Sequence, residues 1–229
     1  MPAFRSRGAL AATFCLLTAG GLLGANRADA AKPTALFNGQ DLQGWHVFIN
    51  HKDNSDAGTD PDKVFRVEDG VIHVSGAEFG CLTTKEEYED YHLSLQFKWG
   101  EKRYPPRETS VRDSGVLVHC VGPDKVWPKS IECQIQEHDC GDFYMVDGAE
   151  MTVDGQPNTN RAIKTSDHEK PLGEWNTVEV ICRGDTIIAK VNGVEVNRGT
   201  HASVTKGKIT LQSEGAEIFF RNVELTPLR

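Results

Sequence analysis

WNTVEVICRGDTIIAKVNGVEVN, residues 175–197, is the stretch on which the fold turns. It is crowded with Val, Ile and Thr, which fit a pleated, half-buried surface. The pair Asn192-Gly193, between Val191 and Val194, sits where a two-residue hairpin turn prefers it, because both turn positions need positive φ. Two extended segments joined by a tight turn are therefore expected here.

The same punctuation continues outward in both directions. VFRVEDGVIHVSG (64–76), YHLSLQFKWG (91–100), SGVLVHCV (114–121), SIECQIQEH (130–138), GKITLQSEG (207–215) and AEIFFRNVELTPL (216–228) are short strand-forming runs divided by Gly, Asp, Asn and Pro. Asp69-Gly70 supplies a second hairpin signal. TKEEYEDY, from Thr84, is the one stretch that reads as a short helical turn. No period of 20 to 50 residues repeats, and there is no Rossmann glycine fingerprint, phosphate loop, nucleophile elbow or HExxH. The expected fold is all-β, a two-sheet antiparallel β-sandwich of jelly-roll type.

Two stretches resist a strand reading: 50–63 and roughly Gly141 to Leu172. The first carries Asp53, Asp56, Asp60 and Asp62, but their spacing misses the EF-hand pattern, so a solvated acidic loop is the preferred reading over a calcium site.

The N-terminus has Arg5 and Arg7, the apolar run 9–24 and then Ala28-Asp29-Ala30, the layout of a cleavable secretory signal peptide. The apolar run is shorter than the ~20 residues of a spanning helix, so no membrane insertion of the mature chain is expected. Domain boundaries follow as 1–30 for the signal peptide and 31–229 for a single β-sandwich domain, secreted or periplasmic. Five cysteines remain in that domain: Cys81, Cys120, Cys133, Cys140 and Cys182. An odd number leaves at least one thiol unpaired. A Cys120–Cys133 bridge is open if their strands form a hairpin. The net charge is −8 and the basic residues are scattered, which argues against nucleic acid as a partner.

SIECQIQEHDC (130–140) raises the functional question. With period two, Ile131, Cys133 and Ile135 turn to the core and Glu132, Gln134, Gln136 and His138 to the other face. Read likewise, residues 115–120 send Leu117 and His119 outward, and 207–215 send Thr210, Gln212 and Glu214 outward. An outward set of amides, carboxylates and imidazoles without lysine differs from an ordinary wet face and suits bidentate hydrogen bonds to vicinal hydroxyls, as on a sugar.

The chain also resembles a known family. LFNGQDLQGW (36–45), DGVIHVSG (69–76), the Thr84–Leu93 stretch, Arg112-Asp113-Ser114-Gly115, Ile131-Glu132-x-Gln134-Ile135, Gly173-Glu174-Trp175-Asn176, Val191-Asn192-Gly193, ITLQSEG (209–215) and Phe220-Arg221-Asn222-Val223 follow in order the pattern of the 3-keto-disaccharide hydrolase domain. Many relatives carry Asn where this chain has Asp113, which leaves the role of that position open.

The resemblance implies a concanavalin A-like or laminin-G-like jelly roll with its site on one sheet. It also implies an exported enzyme that cleaves 3-keto-glycosides, with an upstream sugar 3-dehydrogenase supplying them. Elimination followed by hydration requires a base, an acid and an electrophilic stabiliser. His138 and His119 are the candidate base and acid, and Glu132 is a third candidate or an orienting group. Gln134, Gln136 and Gln212 would bind hydroxyls, Arg112 would polarise the ketone or enolate oxygen, and Asp113 is a further substrate-binding candidate. A divalent metal on His119, Glu132 and His138 is an alternative stabiliser. A non-catalytic carbohydrate-binding module and a conventional glycosidase using Glu132 and Glu214 are the rival readings.

Overall fold

In the computed structural model the described residues are 31–50 and 60–228. The signal peptide expected at 1–30 lies outside them, as do Asp53 and Asp56 of the acidic loop. Among the described residues seventeen strands follow in chain order. They are β1 (Thr34–Ala35), β2 (Trp45–Ile49), β3 (Phe65–Glu68), β4 (Val71–Val74), β5 (Gly80–Thr84), β6 (Tyr91–Arg103), β7 (Gly115–Val121), β8 (Lys129–Gln134) and β9 (Phe143–Val146). Then come β10 (Met151–Val153), β11 (Gln156–Asn158), β12 (Arg161–Ala162), β13 (Asn176–Arg183), β14 (Thr186–Val191), β15 (Val194–Thr200), β16 (Lys208–Ser213) and β17 (Ala216–Pro227).

They form two antiparallel sheets. One has ten strands, in the order β11-β10-β15-β14-β13-β6-β17-β4-β3 with β1 against β17; the other has seven, in the order β12-β9-β8-β7-β16-β5-β2. The opening stretch behaves as its composition requires. β13 and β14 alternate buried and half-buried residues, and Val178 faces Val191 across the ladder. Asn192 and Gly193 carry φ of 51° and 84°, and Asp69-Gly70 has 51° and 76°, the positive pair that two-residue hairpins use.

Alternation builds the core. Tyr91, Leu93, Leu95 and Phe97 of β6 and Ile218 and Phe220 of β17 come from one sheet, and Val116, Val118, Ile131, Cys133, Leu82 and Leu211 from the other; all are fully buried in one cluster. Each such large side chain contributes about 1.5–3 kcal/mol relative to exposure.

Three sequence expectations are corrected. Thr84 to Tyr91 contains no helical turn; its residues bend, and Tyr88 bridges Gly207. The 141–172 segment holds four short strands, β9 to β12, where a loop was expected. β7 and β8 do form a hairpin, but Cys133 stands opposite Val116, so no Cys120–Cys133 bridge forms, and all five cysteines are free and buried. Among the described residues no helix is long and apolar enough to cross a membrane.

Candidate active site

The face of the seven-stranded sheet turned away from the core carries a cleft of about 370 Å³ lined by Arg107, Asp113, Trp127, Glu132, Gln134 and Gln136, with Tyr144 and Glu214. Strand period explains its floor. On β8, Ile131 and Cys133 enter the core, which turns Glu132 and Gln134 to the cleft. On β9, Tyr144 pairs with Glu132 and so stands beside it on the same face. The chain entering β7 sets Asp113 two residues before Gly115, and the chain leaving β16 sets Glu214 two residues after Gln212. Gly115, opposite Gln134, has no side chain, and a Cβ there would collide with the carboxyl oxygen of Glu132 and the amide oxygen of Gln212. The glycine is therefore what admits both groups over one point of the floor.

The Gly122–Pro128 loop is fastened across the neighbouring half of this face. Val126 O accepts from Gln212 Nε2 at 3.0 Å, Lys125 O accepts from Cys81 Sγ at 3.5 Å, and Trp127 Nε1 donates to Glu214 Oε1 at 2.8 Å. Trp127 remains 42% exposed at the cleft's edge, the one strongly exposed Phe, Tyr or Trp among the described residues.

Three carboxyls share this space with one guanidinium. Arg107 is ion-paired with Asp113 Oδ2, while Asp113 Oδ1 is buried without a hydrogen-bond partner among the described residues. Burial raises the Asp113 pKa, against the opposing pull of Arg107. Glu132 is held well above the usual carboxylate range, first by burial and then by the charges of Glu214 and Asp113. Glu214 is pushed up to about 8 by burial and by Asp113, with Arg107 and the Trp127 N–H pulling the other way. Neighbouring carboxyls whose affinities are driven upward and apart can give and take protons near neutrality.

The residues expected from sequence divide into those the cleft gathers and those it does not. Glu132, Gln134, Gln136 and Asp113 line it. Gln212 lies just beneath, fully buried. Gln136 is tied at the rim by its Nε2 donating to Asp139 at 2.8 Å.

His119 goes elsewhere. The register of β7 with both neighbours shifts around it, and its φ is 55°, so a bulge takes the ring out of the alternation that pointed it outward. It packs edge-on to Tyr91 at 5.5 Å, its Nδ1 donates to Val204 O at 3.1 Å, and burial lowers its pKa.

His138 is also displaced, because β8 ends at Gln134 and the chain turns over 137–140 with φ 75° at His138. It is exposed and borders a separate cleft of about 230 Å³ with Trp99 and Glu169. Arg112 is buried but reaches away from the cleft, donating to Gly100 O, Glu101 O and Glu137 Oε1. The expected set His119, Glu132 and His138 is thus not brought together, and among the described residues no group of three or more His, Cys, Asp or Glu is placed to hold a metal ion.

Sequence reasoning missed Arg107, Trp127 and Tyr144. Tyr144 was in principle within reach, since Phe143 and Met145 alternate with it as core residues. Arg107 and Trp127 sit on loops with no period to read.

Comparison with known proteins agrees with this architecture. The family model of the 3-keto-alpha-glucoside-1,2-lyase-like domain matches residues 32–226. A protein provisionally named a glycosyl hydrolase, from Parabacteroides distasonis ATCC 8503, is 22% identical, with 86% of this chain and 94% of that chain covered and a TM-score of 0.60. A carbohydrate binding module from Bacillus subtilis is 10% identical over 80% of this chain and 95% of its own, with a TM-score of 0.54. The Bacillus licheniformis beta-glucanase is 14% identical over 89% and 100%, also at 0.54. At these identities the likeness is one of fold, a jelly roll of two antiparallel sheets. No curated protein matches the chain at a significant level.

Proposed function

The chain belongs to the 3-keto-alpha-glucoside-1,2-lyase-like domain family, a carbohydrate-active family, and from that premise we propose that it cleaves glycosides already oxidised to a ketone at the third sugar carbon. The observation that carries the reading is the cleft in which Glu132, Glu214 and Asp113 crowd around a single arginine.

A 3-ketone acidifies the hydrogen on C2. One carboxylate of the cluster removes that proton, and the electron pair becomes an enolate. The enolate re-forms the ketone as the C1–O bond breaks, and a protonated carboxyl supplies the departing oxygen with its proton. Water then adds to C1 and a proton returns to C2, so the sum is hydrolysis. Arg107 is the cationic group at hand to stabilise negative charge on the substrate oxygen. Gln134 and Gln136 offer amides to the hydroxyls, and the exposed ring of Trp127 offers an apolar surface to a sugar face.

The substrate's ketone implies a preceding oxidation, so a sugar 3-dehydrogenase belongs upstream. In this proposal both steps take place in an exported compartment, a reading supported by the leader-like pattern of residues 5–30. The test is to incubate the protein with a 3-keto-disaccharide and with its unoxidised parent. Release of the free partner sugar from the oxidised compound alone is the expected result. Cleavage of the parent at a comparable rate would replace this reading with conventional glycosidase chemistry, and binding without cleavage of either would leave a carbohydrate-binding module.

A further inference from the structure

Gln212 is fully buried and its orientation is fixed, because Nε2 donates to Val126 O at 3.0 Å and a flipped amide would set carbonyl against carbonyl. Its Oε1 therefore faces the other way, and there it has no hydrogen-bond partner among the described residues. The direction is given by Gly115: a Cβ on that residue would collide with Gln212 Oε1 and with Glu132 Oε1 together, so both oxygens overhang one bare Cα. The Glu132 carboxyl likewise has no hydrogen bond to any described residue and is 5% exposed.

Two buried oxygens that converge repel each other if the glutamate is ionised. One hydrogen bond satisfies both if it is protonated. We propose that Glu132 rests as a neutral carboxylic acid whose O–H is directed at Gln212 Oε1, and that Gln212 is the positioning residue that makes Glu132 the proton donor to the departing glycosidic oxygen.

The groups facing Glu132 agree. Asp113 and Glu214 oppose a further negative charge, Tyr144 on β9 is neutral, and Arg107, the one nearby cation among the described residues, is engaged by Asp113. The base is then Glu214, whose carboxylate form accepts the C2 proton. As the C1–O bond breaks, its electron pair leaves on oxygen, and that oxygen takes the Glu132 proton. When water adds to C1, its released proton goes to Glu132 and C2 recovers its proton from Glu214, which restores the starting state. Because Gln212 also holds Val126, the loop that bears Trp127 is tied to the same proton.

This inference rests on the proposed proton-transfer role of the cleft, but its test needs no substrate. Infrared difference spectra of the protein against Glu132→Gln at pH 7 are expected to show a protonated carboxyl C=O band belonging to Glu132. In Gln212→Met that band should titrate lower by about one pH unit or more, since a bond to the neutral form has been lost. The alkaline limb of kcat should move the same way, which a merely structural glutamine would not produce. A wild-type spectrum with only ionised carboxylate bands overturns the assignment, as does a Gln212→Met protein whose Glu132 titration is unmoved. If that variant does not fold, the wild-type comparison with Glu132→Gln alone decides. A protein that shows the band and its shift yet leaves 3-keto-glycosides intact would uphold the proton and sink the substrate.

Discussion

Glu214 ties chemistry to stability at the scale of one residue. Its pKa stands at about 8 in the fold against an ordinary 4.5, so between those values the folded chain keeps a proton that the unfolded chain has released. The unfolded state then binds fewer protons, and this group's contribution, fully present below about pH 4.5, is lost as pH rises through about 8. Glu214→Gln retains an acceptor for the Trp127 N–H. It should therefore melt higher than wild type at pH 8.5, with the gap closing toward pH 4.5 in thermal scans. Glu132→Ala should lower turnover of a 3-keto-glycoside by about 10²–10⁴-fold. His138→Ala, altering an exposed turn outside the cleft, should leave it unchanged; an equal loss in both would place the chemistry in the second cleft. Glu132 was legible in the sequence because Ile131 and Cys133 fix its facing. His119 was not, because one inserted residue in β7 reverses the alternation and nothing in GVLVHCV announces it.

At the scale of elements, the Gly122–Pro128 loop converts a sheet face into a cleft. Its three hydrogen bonds to Cys81, Gln212 and Glu214 are short-range facts of packing that no local pattern encodes. Trp127→Phe keeps a ring at the edge and removes the donor that lowers the Glu214 pKa. The limb of the pH–rate profile governed by Glu214 should then shift to higher pH; an unmoved profile would show that the indole N–H does not tune this carboxyl. Strands of two to four residues, β9 to β12, escaped notice because so few residues carry no measurable period. The hairpins at Asp69-Gly70 and Asn192-Gly193 were legible for the opposite reason, since positive φ at both positions restricts the residue types sharply.

At the scale of the whole molecule, one hydrophobic cluster is drawn from both sheets, so the sandwich is expected to unfold as a single cooperative body. Leu95→Ala, in the middle of β6 and fully buried, should cost about 2–5 kcal/mol. Tryptophan fluorescence and far-UV circular dichroism should report one coincident transition, and two separated transitions would mean that the sheets unfold independently. The amino-acid sequence alone determined that this chain is a two-sheet antiparallel sandwich, because strand period and turn chemistry are local properties written into neighbouring residues. It also determined that Glu132, Gln134 and Gln136 leave the core together. Only the tertiary structure decided which polar groups meet there. A bulge withdrew His119, the end of a strand withdrew His138, and Arg107, Trp127, Tyr144 and Glu214 arrived from segments far apart in the chain, brought together by sheet register and loop packing.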